Sequence, residues 1–280
     1  MNAVANRNVR LIVIDVDRTL LTTERVVLPR VSEALRAARD VGTRVVLATA
    51  RSPRGVSHVM NALSLTGPAI CFGGSWIGQV HATDPLSAEG ISDQRLRRED
   101  VEAACRLAVQ WGVDLSWHST EAWRIPGWND AFRHDHEVTR EVPEMVESYL
   151  DLTELPHKLM FIAPPTQEPT LETIRAQLAP TTNALFSHHR LLEINALGVS
   201  KGTALRALQA QLGVSPEETV AIGDSYNDVP MFEAAGYAIA MGNGVDAVKG
   251  IANWVTTTND EGGVADAIQH LVETCRLPRA

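Results

Sequence analysis

Two carboxylates directly follow the first apolar stretch of the chain, and a second pair occurs much later. The segment LIVIDVDRTLL (residues 11–21) places Asp15 and Asp17 after four apolar residues, and GDSYND places Asp224 and Asp228 after another apolar run. Asp is rarely buried unless it is paired. Four carboxylates that meet in one crevice would raise one another's pKa unless a cation were present. Their types and spacing therefore indicate a cation site.

The kind of cation follows from the ligands, because no His or Cys lies near these carboxylates in the sequence. Oxygen ligands favour a hard ion, and Mg²⁺ also binds the phosphate of a substrate. The hydroxyl of Thr49, in VVLATAR, and the ammonium of Lys201, in GVSKGTAL, suit phosphate oxygens. If Asp15 and Asp17 flank a phosphorus atom, one could attack it while the other handles the proton of the leaving group.

Short apolar runs that alternate with helical patterns position these residues. Strands are predicted at residues 9–14, 44–48, 69–72, 219–222 and 237–240. Helices are predicted at residues 29–41, 53–63, 201–212, 226–235 and 263–275. Unbroken apolar strands that alternate with helices indicate an α/β protein with a doubly wound, Rossmann-like parallel sheet. Ligands bind at the carboxyl ends of such strands, which is where Asp15, Thr49 and Asp224 fall.

The middle of the chain is richer in Trp, His, Pro and charge. Four of the six tryptophans lie there: Trp111, Trp117, Trp123 and Trp128. Its mixed pattern predicts helices and strands in the order 99–111, 113–117, 158–163 and 169–178. We interpret residues 83–188 as an α+β domain, the cap, inserted into a core domain of residues 1–82 and 189–280. Most of these tryptophans are expected to fill the core of the cap.

Substrate selection is expected to come from the cap, because every phosphate ester shares the same phosphoryl group. Residues 119–130, STEAWRIPGWND, are predicted to form the specificity segment, since they combine Trp123, Arg124 and Trp128 with a Pro-Gly turn. The alternative is that the two tryptophans only fill the cap. The HDHE stretch at residues 134–137 is interpreted as solvated surface rather than as a zinc site.

Four ordered segments resemble the motifs of the haloacid dehalogenase superfamily: DVDRTLL, LATAR, SKGTAL and GDSYNDVPMFEAAG. The position of the insert, between the second and third motifs, resembles the C2 cap subclass. The segments KLMFI and LLEINALGVSKGTAL are similar to Cof-type phosphatases. The resemblance covers nearly the whole chain. It implies an Mg²⁺-dependent phosphatase that hydrolyses a small phosphorylated metabolite, such as a sugar phosphate, through an aspartyl-phosphate intermediate.

The resemblance also implies a role for each matching carboxylate. Asp15 corresponds to the nucleophile, and Asp17 to the general acid, whose backbone carbonyl is a metal ligand. Asp224 corresponds to a direct ligand of Mg²⁺. Asp228 corresponds to an acidic group that supports both the metal site and Lys201. The implied metal site therefore comprises all four carboxylates.

Phosphate binding is implied for three matching positions: Thr49, Lys201 and Asn227. Lys201 would also offset the charge of the nucleophile. Arg51, two residues after Thr49, is close enough to face the cap and is expected to contact the substrate. Three residues depart from the family pattern without touching these positions: Arg18, Ala50 and Gly73. They affect the expected identity of the substrate more than the expected reaction.

Composition restricts the partners further. The formal net charge of −9 argues against nucleic-acid binding, and no apolar run reaches the length of a membrane span. The three cysteines, Cys71, Cys105 and Cys275, are widely spaced, which suits a cytoplasmic protein. We expect a monomer or a homodimer. A phosphosugar mutase and a non-catalytic protein that binds a phosphorylated metabolite are the alternative functions.

Overall fold

A parallel sheet forms the centre of the molecule in a computed structural model that describes residues 9–80, 89–274 and 276–278. Its five strands are Leu11–Ile14 (β1), Arg44–Leu47 (β2), Thr219–Gly223 (β12), Tyr237–Ala240 (β13) and Trp254–Val255 (β14). Their order across the sheet is β14-β13-β12-β1-β2. The strands predicted at these places match within two residues. Cys275 and the predicted start of the cap at residue 83 lie outside the described residues.

Helices cover both faces of this sheet: Pro29–Asp40 (α1), Pro53–Ala62 (α2), Lys201–Leu212 (α6), Val229–Ala234 (α7), Asp246–Ile251 (α8) and Gly263–Glu273 (α9). The side chains of β1 alternate, as in any strand. Ile12 and Ile14 pack with α1, α2 and α9, whereas Leu11 and Val13 pack with α6 and α7. The doubly wound α/β class is therefore confirmed. Among the described residues, no helix is both long and apolar enough to cross a bilayer.

The predicted strand at residues 69–72 belongs to a different sheet. Pro68–Cys71 (β3), Trp76–Gln79 (β4) and Glu89–Asp93 (β5) form an antiparallel sheet of three strands. A single parallel bridge between Ala48 and Ile70 connects β3 to the chain just after β2. The glycine-rich turn between β3 and β4 reverses the chain, which is why this strand pairs with its sequence neighbour.

The cap contains a sheet of six strands and three helices. The strands are Asp114–His118 (β6), Trp123–Ile125 (β7), Glu144–Met145 (β8), Lys158–Ile162 (β9), Thr182–His188 (β10) and Leu191–Ala196 (β11). The helices are Arg98–Trp111 (α3), Asp130–Thr139 (α4) and Glu168–Leu178 (α5). The strand order is β10-β11-β9-β6-β7-β8. This is an α+β arrangement, as the sequence indicates.

Each face of the cap sheet packs against its own helices. Leu159 and Phe161 pack with α3 and α5, while Met160 and Ile162 face α4. Two of the tryptophans, Trp117 and Trp123, are buried in these cores. Trp111 packs at the edge of the larger core, and Trp128 is 40% exposed.

The strand pairing shifts the expected limits of the cap. Strand β11 pairs with β9 from Leu191 to Ile194, so the cap sheet continues beyond residue 188. Strand β5 still pairs with β4 near the core. We therefore propose that the inserted domain runs from Gln94 to Ala196. The sequence does not reveal this limit, because the pattern of LLEINA does not show which strand it pairs with.

A close contact between α6 and α7 leads to a stability prediction. A Cβ atom on Gly202 would lie 2.2 Å from the carbonyl oxygen of Pro230, so this backbone would have to move. We expect Gly202→Ala to lower the free energy of unfolding by ~1–3 kcal/mol, measured by urea denaturation. Gly250→Ala is the control, because a Cβ there meets nothing within 4 Å and Ala favours a helix by ~1 kcal/mol. Equal stability of the two variants would contradict the prediction.

Candidate active site

Asp15 and Asp224 follow two neighbouring strands at the carboxyl edge of the parallel sheet. Strand β1 ends at Ile14 and β12 ends at Gly223, and these strands pair in parallel register. The N–H of Asp15 donates to the carbonyl of Ile222 at 2.9 Å, so the chain leaves the sheet only after Asp15. The structure therefore brings both carboxylates to the edge where parallel α/β proteins bind ligands.

Lys201 is the first residue of α6 and is almost completely buried. Ser200 caps this helix by accepting a hydrogen bond from the N–H of Thr203 at 3.1 Å, which fixes the start of the helix. The Nζ atom of Lys201 donates to Asp15 Oδ1 at 2.5 Å and to Asp228 Oδ1 at 2.7 Å. Burial would lower the pKa of Lys201, but the two carboxylates outweigh burial and raise this pKa. The ammonium group therefore stays charged.

The carboxylates are too crowded for one lysine to neutralise them. Burial raises the pKa of Asp15 well above its ordinary value; Lys201 opposes this, and Asp228 and Asp224 add to it. Burial, followed by the charge of Asp228, raises the pKa of Asp224 to about 6. The hydroxyl of Thr19 donates to Asp224 Oδ1 at 2.9 Å. This hydrogen bond lowers the pKa of Asp224, but less than burial and Asp228 raise it. The excess negative charge favours a bound cation.

The donor set fits a hard divalent cation. Ligand oxygens of Asp15, Asp224 and Asp228 lie within 4.8 Å of one another. Both oxygens of Asp228 already have partners: Oδ1 accepts from Lys201, and Oδ2 accepts the N–H groups of Asp224 and Ser225 at 2.9 and 3.0 Å. Asp15 and Asp224 are therefore the better direct ligands, and Asp228 holds the groups around them.

The carboxylate of Asp17 is not part of that group, because Arg51 holds it. Arg51 Nε donates to Asp17 Oδ2 at 2.9 Å, and Nη2 donates to Oδ1 at 2.6 Å. Burial would raise the pKa of Asp17, but the hydrogen bonds and charge of Arg51 outweigh burial and lower it. Arg51 is itself buried and also donates to the carbonyl of Gly55 at 3.1 Å. The guanidinium expected to contact the substrate is thus engaged with the expected general acid.

The two remaining phosphate-binding candidates differ in their access to the cavity described below. Thr49 is fully buried, and its Oγ1 accepts the N–H of Arg51 at 3.1 Å. It lies beneath the cavity wall rather than in it. Asn227 does line the cavity, and its Oδ1 is buried without a hydrogen-bond partner in the described part of the chain. The side-chain amide of Asn227 is therefore available to a ligand.

The three departures from the family pattern lie around the site. Arg18 has a left-handed backbone (φ 62°), and its exposed side chain places Nε 4.0 Å from Asp224 Oδ2. The carbonyl of Ala50 accepts a hydrogen bond from the cap residue Lys158 at 2.9 Å. Gly73 also has a positive φ, of 65°, in the turn after β3. Arg18 and Ala50 line the cavity; Gly73 does not line it.

A cavity of about 580 Å³ lies between the core and the cap and is lined by both. The structure contradicts the specificity segment expected at residues 119–130, because only Asp130 of that segment reaches the cavity. Arg124 is instead paired with Glu154 and, at 3.0 Å, with Glu144. Its side chain is turned into the cap because acidic groups there neutralise it. Arg124 therefore supports the cap rather than contacting a substrate.

Other cap residues line the cavity in place of that segment. His134 and Asp135 on α4 face it, so the HDHE stretch is not simply solvated surface. Within the residues that the structure describes, this stretch forms no metal-binding cluster. Lys158 and Glu193 also line the cavity, on strands β9 and β11. The signal that could have identified them is a charged residue inside an otherwise apolar strand, in KLMFI and LLEINA.

Comparison with known proteins agrees with these motifs. A family model described as haloacid dehalogenase-like hydrolase matches residues 12–268. The chain is 29% identical to 5-amino-6-(5-phospho-D-ribitylamino)uracil phosphatase YcsE of Bacillus subtilis, over 95% of this chain and 96% of that protein. It is 28% identical to pyridoxal phosphate phosphatase YbhA of Escherichia coli, over 94% of this chain and 99% of that protein.

Solved structures share the same fold. A haloacid dehalogenase-like hydrolase from Bacteroides thetaiotaomicron is 27% identical and has a TM-score of 0.81, with 94% of this chain and 99% of that chain covered. The sugar phosphatase BT4131, described as a subclass IIB member of the superfamily, has a TM-score of 0.82 at 22% identity, with 94% of this chain and 98% of that chain covered. The chain therefore belongs to the family of haloacid dehalogenase-like hydrolases and is an enzyme of the phosphatase class.

Proposed function

We propose that this enzyme hydrolyses the phosphate monoester of a small metabolite through an aspartyl-phosphate on Asp15, with Mg²⁺ as cofactor. The observation that carries the proposal is the ion pair between Asp15 and the buried Lys201, with Asp15 and Asp17 facing a cavity large enough for a metabolite. The names of the two relatives, which specify phosphates of a uracil derivative and of pyridoxal, support a small phosphorylated substrate.

In the first half of the reaction, an oxygen of Asp15 attacks phosphorus while the bond to the ester oxygen breaks. Asp17 gives its proton to the departing ester oxygen. Arg51 lowers the pKa of Asp17, so this ion pair has to loosen when the substrate binds and before the proton is transferred. Lys201 holds Asp15 in place and offsets the charge that gathers near the nucleophile.

In the second half, Asp17 is ionised and acts as the base. It takes a proton from a water molecule, whose oxygen attacks phosphorus, and the bond from phosphorus to Asp15 breaks. Inorganic phosphate leaves, and Asp15 returns as a carboxylate. The pair with Arg51 favours the ionised form of Asp17. The arrangement in the structure therefore suits the base role of Asp17 in the second half better than its acid role in the first.

Asp15, Asp224 and the backbone carbonyl of Asp17 would hold Mg²⁺, with Asp228 supporting them. Bound there, the ion would supply positive charge close to the phosphate oxygens. Asn227, with its unpartnered amide oxygen, and the exposed Arg18 are further polar groups at the cavity wall.

A phosphate-release assay with purified enzyme tests this proposal. The panel would contain phosphorylated metabolites and p-nitrophenyl phosphate as a reference, each with chelator and with chelator followed by excess Mg²⁺. We expect release that stops with chelator and returns with Mg²⁺. Binding without release would indicate a binding protein, and an isomeric ester formed with a sugar bisphosphate as activator would indicate a mutase.

The raised pKa of Asp224 predicts how Mg²⁺ and pH together affect stability. A folded-state pKa of about 6 lies above the ordinary value of 3.8, so the folded protein binds this proton more tightly than the unfolded chain does. Without metal, stability should therefore fall as pH rises from about 4 to 6. Mg²⁺ competes with the proton, so it should raise the melting temperature more at pH ~7.5 than at pH ~5.

The matched variants Asp224→Asn and Asp246→Asn test whether Asp224 is responsible for the rise in melting temperature that Mg²⁺ causes. Asp224→Asn removes a buried carboxylate from the cluster and should abolish most of the thermal shift caused by Mg²⁺. Asp246 is exposed in the first turn of α8, so its variant should keep the full shift. A thermal shift that survives in Asp224→Asn would place the metal elsewhere.

A further inference from the structure

The cavity has far more room than a phosphoryl group needs. Its volume of about 580 Å³ falls in the range of pockets that hold whole small molecules. The phosphate end is fixed by Asp15 and Lys201 at the edge of the parallel sheet. The remaining space lies against the cap, and it would hold the leaving group of the substrate proposed above.

Two strands form one wall of this space. Side chains alternate along a strand, so Lys158, Met160 and Ile162 of β9 point to the same face, away from the larger cap core. Leu191 and Glu193 of β11 point to this face as well, and they lie opposite Ile162 and Met160 in the strand register. The wall is therefore apolar at Met160, Ile162 and Leu191 and carries an adjacent pair of charges, Lys158 and Glu193.

The charges at this end are mostly acidic. Four carboxylates line it, those of Asp130, Asp135, Glu141 and Glu193, together with the cations Lys158 and Arg190. Each cation has a partner in the protein. Lys158 Nζ donates to the carbonyl of Ala50 at 2.9 Å and lies 3.9 Å from Glu193 Oε1, and Arg190 Nε donates to the carbonyl of Ala163 at 2.8 Å.

Of the four carboxylates at this end, Asp135 has a buried oxygen, Oδ2, without a hydrogen-bond partner in the described part of the chain. Burial raises the pKa of Asp135, with Lys158 opposing and Glu193 adding to this effect. A buried acceptor without a donor is costly, so a ligand that donates an N–H or O–H to Asp135 would be favoured.

We propose that the cap end of the cavity selects a leaving group that has an apolar, ring-like face and at least one N–H or O–H donor, and that carries no second anionic group. The apolar face would lie on Met160, Ile162 and Leu191, and the donor would bind Asp135. A carboxylate or a second phosphate would meet four carboxylates and two cations, so the net charge at this end would repel it. This inference rests on the proposed phosphatase activity and names its substrate class.

A matched series of substrates tests the selection. Pyridoxamine 5′-phosphate, pyridoxine 5′-phosphate and 4-pyridoxic acid 5′-phosphate share one ring and differ in an aminomethyl, a hydroxymethyl or a carboxylate group. We expect kcat/KM for the first two to exceed that for the third by at least tenfold, which corresponds to ~1.4 kcal/mol. Equal or better hydrolysis of the carboxylate would overturn the inference. If the enzyme hydrolysed neither these three esters nor p-nitrophenyl phosphate, the proposed phosphatase activity itself would be overturned.

Two variants on the same helix assign the selection to Asp135. Asp135→Asn removes the charge at nearly constant shape, and we expect the ratio of kcat/KM between the aminomethyl and the carboxylate substrate to fall at least tenfold. Glu137→Gln is the control, because Glu137 is exposed on α4 and does not line the cavity; its ratio should match that of the parent enzyme. An unchanged ratio in Asp135→Asn would contradict the role given to Asp135.

Discussion

Asp15→Asn is expected to lower kcat by about 10⁴-fold or more, equivalent to ~5.5 kcal/mol of transition-state stabilisation. The amide keeps the shape of the carboxylate but is too weak a nucleophile to attack phosphorus. Lys201 would still be held by Asp228 at 2.7 Å. Loss of one of three crowded carboxylates also relieves repulsion, so the melting temperature should stay the same or rise.

The measurement is steady-state hydrolysis together with acid quenching, which traps a covalent phosphoenzyme. The parent enzyme should yield labelled protein when the phosphate of the substrate is labelled, whereas Asp15→Asn should yield none. Asp246→Asn, an exposed change at a residue that does not line the cavity, should behave as the parent does. If Asp15→Asn retained turnover within tenfold of the parent, another residue would have to be the nucleophile.

The core of the fold could be predicted because its strands are buried on both faces. Segments such as LIVI and VAI are apolar at every position, and Gly and Pro mark the limits of the helices between them. The strand at 69–72 was assigned to the wrong sheet, because an apolar run does not show which neighbour it pairs with. For the same reason, residues 191–196 fall within the predicted core domain, although the strand they form, β11, pairs with β9 of the cap sheet.

For the site, the sequence predicts which residues come together at the ends of strands and helices, but not which side chains pair with one another. Asp15, Lys201 and Asp224 belong to ordered motifs at strand or helix ends, so their meeting point follows from the topology. The pair between Asp17 and Arg51 could not be read from the chain, because it depends on side-chain directions. The prediction that residues 119–130 select the substrate is wrong for a related reason. The side chain of Arg124 is held by two acidic partners that are distant in sequence, and the sequence does not show this pairing.

In the proposed reaction, Asp17 has two tasks that require opposite protonation states, and its pair with Arg51 favours one of them. Arg51 binds both carboxylate oxygens and lowers the pKa of Asp17. The ionised form can accept a proton from water but cannot donate one to a leaving group. An alkoxide leaves poorly without a proton, whereas p-nitrophenolate is already stable as an anion. The two halves of the reaction should therefore respond differently to the loss of Asp17.

For Asp17→Asn, we expect kcat with an alkyl phosphate to fall by ~10²–10⁴-fold, the usual contribution of general acid–base catalysis. With p-nitrophenyl phosphate, the first half should proceed almost normally while the second half is slow, because no base activates water. The variant should therefore release one equivalent of p-nitrophenol per enzyme in a rapid burst, followed by slow turnover. Stopped-flow absorbance measures the burst of p-nitrophenol, and rapid-quench analysis of the released alcohol should show no burst with the alkyl ester. Equal losses on both esters without a burst would mean that Asp17 positions Arg51 or the substrate rather than moving a proton.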